Sequence, residues 1–209
     1  MKKILSLSLG CLVLFSQTAT VFANAIPLTV SATITPGTAI QLTVTPVNAT
    51  TNVFGTPSTT ATTLPFGTLG FNSTLGIFLP TNYFAIDIGE TGGAGTPIVS
   101  VTYTEGTNPN ALATNGLGTK TTATFVTEAI SGSSTVETPS SLGKKRLIDL
   151  TGTAGQLATI PSGSWERVYV GVWTGSTVAP ADPTNGKPFA NTDVGGTYTG
   201  TLTFTSVSL

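Results

Sequence analysis

From Leu28 to Ile34 apolar and hydroxyl-bearing residues alternate without a break: Leu28, Val30, Ala32 and Ile34 on one parity, Thr29, Ser31 and Thr33 on the other. A period of two belongs to an extended strand, whose successive side chains point to opposite faces. A helix would need apolar residues three and four apart. The period recurs. Ile40, Leu42 and Val44 follow a Pro36-Gly37 turn, and Phe84, Ile86 and Ile88 run up to Gly89. Val99, Val101 and Tyr103 repeat the pattern, as does Ala123 to Glu128. Val168, Val170 and Val172 share a face opposite Tyr169 and Trp173. Tyr198, Gly200, Leu202 and Phe204 close the series, and Leu147 to Leu150 reads as one more short strand. After Phe204 the apolar parity slips to Val207 and Leu209, which predicts a bulge there.

The residues between these runs support the same reading. The segments 49–63, 89–96, 106–118, 131–143 and 175–196 are rich in Gly, Pro, Asn and Thr, the composition of turns and loops. Threonine supplies 43 of the 209 residues, and it fits a pleated strand better than a helix. No amphipathic helix is expected. Eight or nine strands joined by polar loops predict an all-β chain, an antiparallel β-sandwich in a single domain.

Composition removes most chemistry. There is no histidine, and the one cysteine is Cys11. Thiolate or imidazole metal sites, haem ligation, Ser-His-Asp triads and Cys-His pairs therefore lack their residues. Eight basic residues against nine acidic ones leave no cationic surface for nucleic acid. No catalytic, cofactor-binding or metal-binding residue is assigned, and the chain is not expected to be an enzyme. The remaining polar clusters have plain readings. Asp87 and Glu90 read as two solvated charges at a strand end rather than an acid–base pair. Asp182, Asn185 and Asp193 share a loop without calcium-site spacing. Lys144-Lys145-Arg146 reads as a solvated strand entry. Asn48-Ala49-Thr50 and Asn72-Ser73-Thr74 match the glycosylation acceptor pattern, as a Thr-rich chain will by chance.

The first 25 residues read as an address. Lys2 and Lys3 precede an apolar stretch from Ile4 to Phe15, and Ala23-Asn24-Ala25 supplies a small-residue cleavage site. Cleavage is expected after Ala25, with Ala23 as the alternative, and Cys11 falls inside the apolar core of that segment. No other apolar run is long enough to span a bilayer as a helix. The product, 26–209, is expected to be exported to the periplasm and then to the cell surface or an extracellular fibre.

Three segments carry a resemblance. The expected mature chain opens with Val30-Ser31-Ala32-Thr33-Ile34 after Ile26-Pro27-Leu28-Thr29. Leu64-Pro65-Phe66-Gly67 follows, and the chain ends Gly196-Thr197-Tyr198-Thr199-Gly200-Thr201-Leu202-Thr203-Phe204-Thr205. Together they resemble the spore coat protein U-like domain found in subunits of archaic chaperone-usher pili. The likeness covers both ends of the chain and not its middle. The family's cysteine just after the first strand is absent, and Pro36-Gly37-Thr38-Ala39 stands in its place. The resemblance implies an immunoglobulin-like sandwich lacking one strand, completed by a neighbour's N-terminal segment through β-strand addition. It further implies identical or related subunits, a periplasmic chaperone and an outer-membrane usher as partners.

Leu28, Val30, Ala32 and Ile34, within residues 26–35, are the donor-strand candidates: they alternate, and cleavage frees their N-terminus. The same strand could equally pair inside its own sheet, and the sequence leaves both arrangements open. The leading expectation is thus a non-catalytic structural subunit of a pilus-like fibre. The alternative is a secreted adhesin module that binds carbohydrate or a surface through aromatic residues such as Trp165 and Trp173.

Overall fold

The computed structural model describes residues 26–34, 40–90, 97–110, 112, 115–128, 143–151, 156–160, 165–175 and 186–207. The chain is all-β. Its strands are β1 (Ile26–Ile34), β2 (Ile40–Asn48), β3 (Thr63–Asn72), β4 (Ile77–Leu79), β5 (Asn82–Glu90), β6 (Ile98–Glu105), β7 (Thr121–Glu128), β8 (Lys144–Arg146), β9 (Gln156–Thr159), β10 (Trp165–Val172), β11 (Phe189–Ala190) and β12 (Tyr198–Val207). One four-residue helix, α1 (Leu117–Lys120), precedes β7. The strands form a seven-stranded sheet, ordered β11-β4-β3-β1-β12-β6-β9, and a five-stranded sheet, ordered β2-β5-β10-β7-β8.

One core serves both sheets. Leu64, Phe66 and Leu69 of β3, Val99 and Val101 of β6, and Leu202 and Phe204 of β12 enter it from the first. Leu42, Val44, Phe84, Ile86, Ile88, Phe125, Val168, Val170 and Val172 enter it from the second. Phe66 and Phe84 meet edge to face across it, with ring centroids 5.2 Å apart. The five-stranded sheet buries its other face too. Val47, Tyr83, Ala85, Val126 and Tyr169 form a second cluster there, and Phe54 packs against it. Bridges from Val44 to Ser58 and from Val47 to Phe54 fold the following loop back along β2. The three valines of β10 thus point into the main core while Tyr169 points into the small one, as the alternation predicts.

Several expectations are corrected. Leu147 to Leu150 is not a strand: Lys144–Arg146 is β8, and Leu147–Asp149 is a 3-10 turn. Leu147 and Leu150, three apart, are both fully buried, so the inward period there is three and not two. Among the described residues no bulge follows Phe204. β12 pairs with β6 without a shift from Gly200↔Glu105 to Val207↔Ile98. Ser206 takes the inward position there and is buried, so the parity holds and only the residue type changes. β6 and β9 shift register between Val99 and Ser100, and β3 bulges where Gly67 pairs with Leu28 but Pro65 with Thr29, leaving Phe66 as the extra residue. That bulge moves the inward positions from Leu64 and Phe66 to Leu69, which hides the strand from a period-two reading. β4 and β11 are too short to show any period, and the described residues hold twelve strands where eight or nine are expected.

Candidate functional site

The donor-strand candidates all lie on β1, and β1 sits in the middle of the larger sheet. It runs parallel to β12, with Leu28↔Tyr198, Val30↔Gly200, Ala32↔Leu202 and Ile34↔Phe204 in register. On its other side it runs antiparallel to β3, from Ile26↔Leu69 to Ser31↔Thr63. The β1–β12 pair is the one parallel pair among the described strands, and it joins the first strand to the last. Parallel strands cannot be linked by a tight turn. Here nearly the whole chain forms the connection.

The two flanks of β1 are unequal. β12 has β6 on its far side along eight register pairs. β3 has β4 only at Gly70, Phe71 and Asn72, so its Thr63–Leu69 stretch is paired by β1 alone. Leu64, Phe66, Tyr198, Leu202 and Phe204 are fully or almost fully buried beside β1. With β1 absent, two strand edges would face each other across a gap of about 9–10 Å, two strand spacings, above an apolar floor. None of β1, β3 or β12 carries a charged residue, and charge is the usual guard on an open edge.

Glycines shape the β12 flank. A Cβ at Gly200 would collide with the Tyr103 hydroxyl and ring, and one at Gly118 would meet the other edge of the same ring. Tyr103 is therefore laid across β12 at the position in register with Val30. Its hydroxyl is buried without a hydrogen-bond partner among the described residues. Burial first, and then the nearby Glu105 carboxylate, push the phenol well above its ordinary range. Glu105 itself accepts hydrogen bonds from the backbone N–H groups of Leu117 at 2.8 Å and Gly118 at 2.9 Å. Sequence reading missed this arrangement. Its only trace is a glycine on the apolar parity of the last strand.

The charged candidates are placed otherwise than expected. Asp87 is not solvated. It and Arg167 face each other across β5 and β10, each about 1% exposed. Arg167 donates through Nε to Asp87 Oδ1 at 2.5 Å and through Nη2 to Oδ2 at 2.9 Å, a bidentate pair. Its Nη1 reaches the Tyr169 hydroxyl at 3.2 Å, and Phe54 lies over its guanidinium. Burial pulls the Arg167 guanidinium pKa down, but the bonds to Asp87 and Tyr169 outweigh this and hold it above its ordinary value. Glu90 is the last residue of β5; the structure places only its backbone.

Asp193 holds a buried lysine. Its Oδ2 accepts from Lys120 Nζ and from the Ala190 N–H, each at 2.7 Å, and its Oδ1 accepts from Asn110 Nδ2 at 2.9 Å. Asp182 and Asn185 lie outside the described residues. Among the described residues no three His, Cys, Asp or Glu side chains come together as a metal site would require. Arg146 pairs with Asp149 three residues on, which is turn chemistry.

Both glycosylation-like asparagines are turn makers. Asn48 Oδ1 accepts from the N–H groups of Thr50 and Thr51, and Asn72 Oδ1 from those of Thr74 and Leu75. Each turn closes on a residue of positive φ, Asn52 and Gly76. Trp165 and Trp173 are half-buried, and the Trp165 ring covers Gly89. The 1–25 segment with Cys11 lies outside the described residues.

Among the described residues no helix is long and apolar enough to cross a membrane. Leu28, Val30, Ala32 and Ile34 thus share one strand, whose neighbours are the other two segments singled out by sequence, Leu64–Gly67 in β3 and Tyr198–Thr205 in β12. No family model, curated protein or solved structure matches this chain.

Proposed function

We propose that the chain is an exported, non-catalytic structural subunit of a pilus-like surface fibre, assembled by strand addition at the slot that β1 occupies. In this reading residues 1–25 are removed on export. The remainder is a β-sandwich of immunoglobulin-like type, related to the spore coat protein U-like domain. β1 of one subunit fills the slot between β3 and β12 of the next, and the single chain fills that slot with its own β1. A periplasmic chaperone and an outer-membrane usher are the partners such a subunit needs, because an empty slot exposes two unpaired edges and an apolar floor.

One observation carries the reading. Among the described residues, the first strand is also a central strand of its sheet, uncharged, parallel to the last strand, and the only cover for half of β3. Ordinary first strands pair with near neighbours in sequence. A strand inserted between elements this remote is one that a separate chain could supply equally well. The three resembling segments lie side by side at this slot, which supports the same reading.

Electron microscopy of the exported protein tests it. The intact chain should form fibres. A chain lacking Ile26 to Thr35 should form none, yet should bind a separate peptide spanning residues 26–34. Val30→Asp should abolish fibres, because a carboxylate in an apolar slot costs several kcal/mol, roughly, unless neutralised. Fibres from the deleted chain, or an intact chain that stays monomeric under all assembly conditions, would overturn the proposal.

A further inference from the structure

Beyond Cys11 the chain has no cysteine, so a disulfide cannot fasten the described fold. A different covalent fastening has its parts in place. Lys120, at the end of α1, is 3% exposed. Its Nζ donates to Asp193 Oδ2 at 2.7 Å and to the Pro188 carbonyl at 2.9 Å, beneath the Phe189 ring. Asn110 is 9% exposed, and its Nδ2 donates to the other oxygen of the same carboxylate at 2.9 Å. Its Oδ1 accepts from the Val194 backbone N–H at 2.9 Å. A nucleophile and an amide thus hang on the two oxygens of one base, and a backbone donor already sits on the amide oxygen. We propose that Lys120 and Asn110 become joined by an intramolecular isopeptide bond, formed autocatalytically with Asp193 as the proton carrier.

The step balances without a cofactor or oxidant. Lys120 Nζ releases one proton to solvent and, as the neutral amine, attacks Asn110 Cγ, forming the Nζ–Cγ bond. The oxyanion formed at Oδ1 keeps the Val194 N–H bond, which strengthens as charge develops. Asp193 accepts the second proton from Nζ and delivers it to Nδ2, acting as base and then acid. The Cγ–Nδ2 bond breaks and ammonia leaves, taking up in solvent the proton first released, so lysine ammonium plus amide becomes isopeptide plus ammonium. Burial pulls the Lys120 pKa down, an effect that Asp193 only partly offsets, which favours the reactive amine. The acceptor is Asn110 rather than Asp193 for a chemical reason. A neutral amide is already electrophilic, whereas an ionised carboxylate would first need a proton, and no other carboxylate among the described residues is bonded into the cluster.

Mass spectrometry of the purified exported protein, unfolded and digested, decides the matter. The intact mass should fall below that of the mature sequence by one ammonia. Trypsin, which needs a free lysine side chain, should fail to cut after Lys120, and a cross-linked fragment should contain Asn110 and Lys120. Asn110→Ala and Asp193→Asn should each restore the unreacted mass and the tryptic cut, and either variant alone suffices if the other fails to fold. An intact mass equal to the sequence with normal cleavage after Lys120 would overturn the proposal. So would loss of water mapped to Lys120 and Asp193, or ammonia loss that survives in Asp193→Asn.

Discussion

The centre of the five-stranded sheet and the slot around β1 are both three strands wide, and both close over the same core, yet different physics holds them. β5, β10 and β7 are antiparallel throughout, and β10 is buried along nearly its whole length. Arg167 meets Asp87 across that register. Any slip would strand a guanidinium or a carboxylate in the interior, so one register is enforced. The β3–β1–β12 region has no charge, one parallel pair and a bulge. There a backbone ladder on both sides holds a strand whose sequence alternates hydroxyl and apolar residues. An ionic pin selects one partner. Uncharged alternation selects a type of partner, which is what the proposed strand exchange requires.

The most severe test of this contrast is Asp87→Ala. It leaves Arg167 buried without its carboxylate and should destabilise the protein by about 3–5 kcal/mol, measured by denaturant unfolding. The double variant Asp87→Leu with Arg167→Met should recover most of that loss, because no lone charge remains. If Asp87→Ala lowers stability only marginally, the pair is not what fixes the sheet, and the contrast collapses. Gly89→Ala probes the same sheet by packing. A Cβ there would lie 2.5–2.6 Å from three atoms of the Trp165 ring. The ring must shift, at a cost of about 1–3 kcal/mol. Wild-type stability in Gly89→Ala would show that the ring is free to move aside.

How much of this was legible in the sequence depends on the element. β2, β5, β6, β7, β10 and β12 announce themselves, because each keeps its inward parity over several residues, and β1 does so by its alternating sequence. β3 does not. The bulge before Gly67 switches parity inside the strand, and Pro65 argues against a strand at all. The 3-10 turn at Leu147 reads as a strand because four residues cannot separate a period of two from one of three. At the slot, the four residues of β1 were readable from alternation, but which strands would flank them was not, since pairing between the first and last strands leaves no local mark. Asp87 reads as solvated for a related reason. Its partner lies 80 residues away, and a lone carboxylate in sequence looks solvated until that partner is seen.

Gly67 turns the comparison toward the slot. It sits at the bulge with φ of 76°, and a Cβ there would meet nothing within 4 Å. Gly67→Ala therefore introduces no clash. Its cost is that of placing a side chain in the left-handed region, about 1–2 kcal/mol. Gly89 and Gly67 thus resist replacement for opposite reasons, one for space and one for backbone. Unfolding measurements on the two alanine variants, each combined with Trp165→Leu, separate them: removing the ring should relieve Gly89→Ala and leave Gly67→Ala unchanged. Relief of both would mean that Gly67 is also constrained by packing, and the bulge would lose its explanation.

The smallest expected effect is also the one that reports on the slot by pH. Tyr198 opens β12, is fully buried, and donates from Oη to the Val194 carbonyl at 2.5 Å. Burial, and secondarily the field of Asp193, push its phenol up to about 12. The ordinary value is near 10. Between these two the unfolded chain has released the proton and the folded chain has kept it, so the unfolded state binds fewer protons and stability falls as pH rises. The contribution is complete below pH 10 and is lost as the pH climbs toward about 12. Tyr103 is shifted in the same direction, so a slope will remain when Tyr198 is replaced. Tyr198→Phe should cost about 1 kcal/mol at neutral pH through the lost hydrogen bond, whose carbonyl partner belongs to an exposed residue and can take water instead. Above pH 10 the variant should lose stability less steeply than the wild type. Unfolding curves at several alkaline pH values read both quantities from one set of samples. An unchanged slope would mean that the Tyr198 hydroxyl reaches solvent before the protein unfolds. The β1–β12 end of the slot would then open independently of the five-stranded sheet, and the distinction between a pinned sheet and an exchangeable slot would be sharper than the buried phenol suggests.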